Sequence, residues 1–259
     1  MTSIEDWIGR SWDRFKRRWW TVLAVSGVAG AAALLGGFLP ALGGVLLAGA
    51  GPVWAVSGVA GVVSLLALVW LSTWAQAAAV EAAAGEQSIG DCLRSSWRKT
   101  GAFAWSLSLV MLAAGGAFYL LFLPGLWLSP LLFFAPFVAV TEGIGGVASL
   151  EASWRRVSGR WWAVTGRLIL AGVTPVLIGL VPVVGWLLGI AAGPFSLVML
   201  ADLSDELRRL DPGDAAPAPR LGAATAALSV VFVAGTAFAV QAALLAAASL
   251  KDLIRSQAF

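Results

Sequence analysis

Histidine is missing from this 259-residue chain altogether. Its absence removes imidazole metal sites and imidazole general acid–base chemistry. Cysteine occurs once, at Cys92, so no disulfide can form within the chain. That thiol falls on the apolar face of a short predicted helix, which favours packing over reactivity. Charge is scarce too, at 12% of residues, where a soluble domain carries roughly 25%. The few charges are clustered. None lies between Arg18 and Glu81, Lys99 and Glu142, Arg167 and Asp202, or Arg220 and Lys251. A spanning helix needs ~20 apolar residues, so every gap is membrane-sized. There is no Walker loop, dinucleotide fingerprint, serine elbow or metal-ligand cluster. The expectation is no catalytic residue, no cofactor and no metal. The first 18 residues carry Glu5, Asp6, Asp13 and five cations, without the short apolar core and cleavage site of a signal peptide.

What the chain does have is apolar mass and repetition. Hydrophobic residues make up 59%, mean hydropathy is +0.87, and 30 glycines are present. Small residues let membrane helices approach closely. A Ser-Trp pair occurs at Ser11-Trp12, Ser96-Trp97 and Ser153-Trp154. Two residues after each Trp stands a cation, Arg14, Lys99 or Arg156. Eight residues after it stands a second Trp, Trp20, Trp105 or Trp162. A proline follows 28, 27 and 28 residues after the first Trp, at Pro40, Pro124 and Pro182. A fixed period of this kind signals internal repetition.

The pattern predicts an all-α polytopic membrane bundle. It comprises three repeats of an interfacial amphipathic helix plus a two-span hairpin, then a seventh span. The interfacial helices are expected at 3–18, 88–99 and 147–159, with apolar residues at helical spacing opposite charges. Spans are expected near 19–39, 53–80, 102–123, 127–142, 160–181, 183–201 and 221–248. Residues 41–51 read as a Gly-rich external loop or re-entrant piece, and Pro124-Gly125 as a turn. The six-span domain is 1–210, the Pro/Ala/Asp linker 211–220, and the additional span and tail 221–259. Of 17 Lys and Arg, 15 lie in the N-terminal segment, the two inter-repeat segments and the segment through Arg220, and the hairpin tips carry none. The positive-inside rule then makes the N-terminus and all three interfacial helices cytoplasmic.

An acid closes each hairpin: Glu81, Glu142 and Asp202. With Arg160 and Arg167 they form the candidate polar cluster. Two readings stand: a carboxylate–arginine ring at the bundle mouth, or exposed ion pairs pinning helix ends, which contribute only ~0–1 kcal/mol. Arg167 lies inside an expected span, where an ionisable group is a functional candidate. It either snorkels to the near interface or pairs with Glu142; snorkelling is the expectation. Gln76 and Gln241 are the only carboxamides in the expected spans, too few for the ion sites of a secondary transporter. The interfacial anchors are Trp12, Arg14, Trp20, Trp97, Lys99, Trp105, Trp154, Arg156 and Trp162, since indoles favour the headgroup layer. A net charge of +3 and a pI near 9.6 point to anionic lipid as partner, not nucleic acid.

Glu142-Gly143, Ala148 through Trp154, Gly159-Arg160-Trp161-Trp162 and Pro182, with the weaker copy Glu86 through Trp97 and Pro124, carry a resemblance. They resemble uncharacterised YciC-like bacterial integral membrane proteins and the membrane domain beside some glycerophosphoryl diester phosphodiesterases. The likeness covers roughly residues 1–210, and the seventh span departs from a six-span pattern. It implies a bacterial inner-membrane protein with no hydrolase activity, since the catalytic barrel and its histidines are not in this chain. The expected function is a non-enzymatic protein that organises lipid or docks a protein partner or second copy through the Trp/Arg helices. The alternative is a carrier or permease-like protein for a lipid or other amphiphile.

Overall fold

The computed structural model describes residues 1–47, 54–180, 184–211 and 221–257, and every regular element among them is helical. The helices are α1 (Ile4–Leu47), α2 (Trp54–Ala84), α3 (Ile89–Leu120), α4 (Phe122–Leu132), α5 (Ala135–Thr141), α6 (Val147–Ser158), α7 (Trp161–Gly179), α8 (Val184–Arg209) and α9 (Leu221–Gln257). Five segments among the described residues are long and apolar enough to cross a membrane. They lie in α2, α3, the α4–α5 pair, α7 and α9.

Only the third interfacial helix is an element of its own. The first two run unbroken into the apolar stretches that follow them, as α1 and α3. No proline separates residues 16–20 or 99–103, so the backbone hydrogen-bond ladder continues. After α6 the chain turns at Gly159-Arg160 before α7 begins. Helices α1 and α3 start the same way. Ser3 and Ser88 accept from the backbone N–H of Asp6 and Asp91, at 3.1 and 3.3 Å, and each hydroxyl donates to the same aspartate at 2.7 Å. A serine N-cap of this kind satisfies donors the helix cannot. Helix α6 starts instead at Gly146, at φ +71°, a conformation glycine adopts without strain.

Four expected boundaries move. Helix α1 passes Pro40 and reaches Leu47, so residues 41–47 are helix rather than loop; 48–53 lie outside the described residues, as does the break at Pro182. The second hairpin turns at Leu121, which is extended, and Pro124-Gly125 sits inside the first turn of α4. The span expected at 127–142 is divided into α4 and α5, with Pro136 at the start of α5. A proline there lacks the N–H that would join the two. Helix α8 continues past residue 201 to Arg209, so Asp202 stands within it.

The apolar face of the N-terminal stretch of α1 is packed inside the bundle. Trp7, Ser11, Phe15 and Val22 are buried, and Trp7 donates from Nε1 to the Met199 carbonyl of α8 at 3.3 Å. The stripe packs with Val80, Phe103, Phe137, Val157, Met199 and Leu203 in one core. Helix α9, which lies outside the repeat pattern, docks along α3. A Cβ on Gly116 would lie 2.0 Å from the Leu228 carbonyl oxygen, and one on Gly235 would lie 2.7 Å from the Tyr119 ring. Glycines allow this backbone approach. Gly116→Val is therefore expected to detach α9 and leave the other helices assembled. After cleavage at a protease site engineered between residues 212 and 220, the α9 fragment should co-elute with the wild-type remainder in detergent. From the valine variant it should separate.

Candidate functional site

A charged layer forms where the last turns of α8 meet α1, α7 and the ends of α5 and α6. Helical spacing puts Asp202, Asp205 and Glu206 on adjoining faces of α8. From α1, Arg14 pairs with Asp205 at 3.0 Å and Asp202 at 3.6 Å. Arg10 reaches Asp202 at 3.5 Å and Glu206 at 3.2 Å.

Glu206 also takes the Thr2 backbone N–H at 2.7 Å and the Thr2 hydroxyl at 3.0 Å. Its fourth donor is Arg167, at 3.2 Å. The Arg167 side chain is only 4% exposed. It donates to the Thr2 carbonyl as well, and its guanidinium carbon stands 5.4 Å from the centre of the Trp7 ring. Arg167 therefore does not snorkel, and Glu142 is not its partner. The continuation of α8 two turns past residue 201 brings a carboxylate to its depth. Burial pushes the Glu206 carboxyl up, but the bonds from Thr2 and the charges of Arg167 and Arg10 outweigh it. The group lies below its ordinary value.

Glu142, at the C-cap of α5, is held by Arg156 through two parallel bonds of 2.7 and 2.9 Å. The fork geometry of a guanidinium suits a carboxylate this way. Arg156 also bonds Asp211 at 2.9 Å, and Arg155 bonds Asp211 at 3.1 Å. Residue 211 is thus anchored, while 212–220 lie outside the described residues. Asp211 is raised by burial, yet hydrogen bonds from Arg156 and then Arg155 hold it below the usual carboxylate range. The Arg160 side chain donates to the Leu210 carbonyl at 3.3 Å. Glu81, at the end of α2, receives Lys99 at 2.8 Å and the Ser95 hydroxyl at 2.7 Å.

The five candidate residues do not share one cluster. Glu81, Glu142 and Asp202 are each met by a cation two residues past a Ser-Trp pair: Lys99, Arg156 and Arg14 respectively. Arg167 pairs with Glu206, which Arg10 links to Asp202. Arg14, Lys99 and Arg156, expected as interfacial anchors, are the cations of these three pairs. The serines beside them, Ser11, Ser96 and Ser153, are fully buried. Trp20, Trp105 and Trp162 are 64%, 60% and 83% exposed. Trp12, Trp97 and Trp154 lean on aromatic partners, Phe195, Trp74 and Trp127.

Glu206, Asp205, Asp211, Thr2 and Arg10 were not among the candidates. Residue 206 lies four after Asp202 and so on one helix face with it, a signal hidden by placing the helix end at 201. A cavity of about 540 Å³ opens beside the layer, lined by Arg10, Arg14, Asp13, Asp202 and Glu206 among others. Neither Arg167, Glu142 nor Gln76 lines it. Gln76 and Gln241 are both exposed on outer faces. Among the described residues, no group of three or more Cys, Asp or Glu is placed to hold a metal ion. No family model matches this chain, and no curated protein or solved structure matches it.

Proposed function

We propose that this chain is a non-enzymatic integral membrane protein that organises lipid through a collar of tryptophans and arginines. In this reading it has three repeats and seven spans, with the N-terminus cytoplasmic by the positive-inside rule, in a bacterial inner membrane, as the YciC-like resemblance implies. A protein partner or a second copy would dock on the same collar. The observation that carries the reading is the outward set of Trp20, Trp105 and Trp162 around a layer whose acids are already bound by cations. Indoles at that level favour the headgroup region, and paired carboxylates leave little charge to move with a cargo. The carrier reading is less well supported. It needs a polar path inward, whereas Gln76 faces outward and the open cavity is lined by charged residues at the mouth.

Reconstituted in vesicles holding a fluorescent phospholipid, the protein should leave the inner-leaflet probe protected from dithionite, as empty vesicles do. Reduction of the inner leaflet above that level would replace the scaffold reading with the carrier. Orientation has its own test. In a Cys92→Ser background, Leu123→Cys, exposed at the α3–α4 turn, should label from outside whole cells with an impermeant maleimide. Ser158→Cys, exposed at the end of α6, should not. Labelling at residue 158 would invert the topology.

A further inference from the structure

We propose that the exposed strip of α3 formed by Arg94, Arg98, Gly101 and Trp105 is a binding site for one anionic phospholipid. The inference rests on the lipid reading above and gives it a place and a headgroup class. At 100° per residue these four positions fall within one narrow strip of the helix, and all four are exposed. The two arginines lie at the charged end. Gly101 follows about one turn deeper, and Trp105 about 16 Å from Arg94 along the axis. A Cβ on Gly101 would meet nothing within 4 Å, so a notch is open there. Trp97, one turn towards the arginines, rims it and is held by edge-to-face contacts with Trp70 and Trp74 at 6.2 and 5.6 Å. A phosphodiester on the guanidiniums would thus set its glycerol and first methylenes in a gap between two indoles.

The charge on this strip is uncommitted. Among the described residues, no carboxylate lies within 4.0 Å of the Arg94 or Arg98 guanidinium. Asp91 is near and lines the same depression of about 520 Å³, together with Lys99. Its carboxylate receives the Ser88 hydroxyl, and Lys99 is bound to Glu81. The corresponding positions of the other two copies serve as internal controls. Counting from the Ser-Trp pair, Arg94 and Arg98 correspond to Gly9 and Asp13 in the first copy, and to Glu151 and Arg155 in the third. Asp13 is paired with Lys16, and Arg155 with Asp211. Among the described residues, the middle copy alone offers two guanidiniums with no carboxylate within 4.0 Å, and guanidiniums bind phosphate oxygens well.

Native mass spectrometry of the full chain in detergent, titrated with phosphatidylglycerol or phosphatidylcholine, tests this. Wild type should bind the first phosphatidylglycerol more tightly. Arg94→Gln/Arg98→Gln should weaken that step about thirtyfold, the effect of removing two cations from beside an anionic group. Phosphatidylcholine binding should be unchanged. Lys16→Gln/Arg17→Gln removes the same charge elsewhere and should change it by no more than about twofold. Gly101→Leu keeps all charge, fills the notch and should weaken the step as well. Equal weakening by the two double variants, or none by Gly101→Leu, overturns the site while the lipid reading survives. Displacement of the lipid by inorganic phosphate at equal concentration also overturns it, in favour of a free anion. A wild type that does not discriminate between the lipids overturns both.

Discussion

Glu206→Leu is expected to destabilise this protein by about 3–5 kcal/mol, the cost of stranding one partner of a buried ion pair. Glu206 accepts from Thr2 twice, from Arg10 and from Arg167. Its loss does not affect its donors equally. Arg10 has a side chain 43% exposed and can turn to water. Arg167 cannot, and keeps only the Thr2 carbonyl and the face of Trp7. Arg167→Leu should cost less, about 1.5–3 kcal/mol for one charged hydrogen bond, because Glu206 retains Arg10 and Thr2. The double variant should be more stable than Glu206→Leu alone, since an apolar pair can replace a buried ionic one at little cost. Thermal unfolding of the three variants in detergent decides it. If Arg167→Leu is the more damaging single change, or the double variant is the worst of the three, this account of the layer is wrong.

Arg156→Leu should produce a loss of similar size, about 3–5 kcal/mol. The arginine side chain is 7% exposed and holds Glu142 and Asp211, themselves 11% exposed, at 2.7 and 2.9 Å. Without it the two carboxylates face each other, with Arg155 left for Asp211 and the mostly exposed Arg208 for Glu142 at 3.7 Å. Arg156→Lys should recover only part, because an ammonium cannot make the fork. The layer also sets a pH dependence. Asp211 and Glu206 lie below their ordinary values of 3.8 and 4.5 in the folded state. Their contribution is complete above those values and is lost as pH falls through the lower folded ones. Unfolding midpoints measured from pH 6 downward, at about 0.15 M salt, should fall below about pH 4.5. In Arg156→Leu that fall should be shallower. An equal slope in both proteins would remove Asp211 from the account.

Part of this site was legible in the sequence. The spacing of Ser-Trp, cation and second Trp selected Arg14, Lys99 and Arg156, and hairpin closure selected Glu81, Glu142 and Asp202. Which acid meets which cation was not legible, because Asp202 and Arg14 are 188 residues apart and no local rule relates them. Arg167 shows the limit most clearly. Counted from the Ser-Trp pair, it occupies the position held by Val25 and Val110 in the other copies, both buried. The burial of those two valines is a tertiary fact, so the shared register did not by itself separate a buried partner from snorkelling. The partner itself, Glu206, stands where the other hairpins have Gly85 and Gly146, so an extra acid accompanies the extra base.

The sequence by itself determined the solvent and the class. Charge-free runs of membrane length can satisfy their backbone only as helix or closed barrel, and their composition and helical periodicity select the helix. It also determined where charge and indole would collect, since both follow from the apolar period. The tertiary structure alone decided that the first amphipathic stretch is a core element, because burying Trp7 and Phe15 requires α8 beside them. It alone decided that α9 belongs to the bundle, through the glycine contact of Gly116 with Leu228. Both depend on which helices lie side by side, and helix adjacency is set by packing across the whole chain rather than by any one segment's pattern.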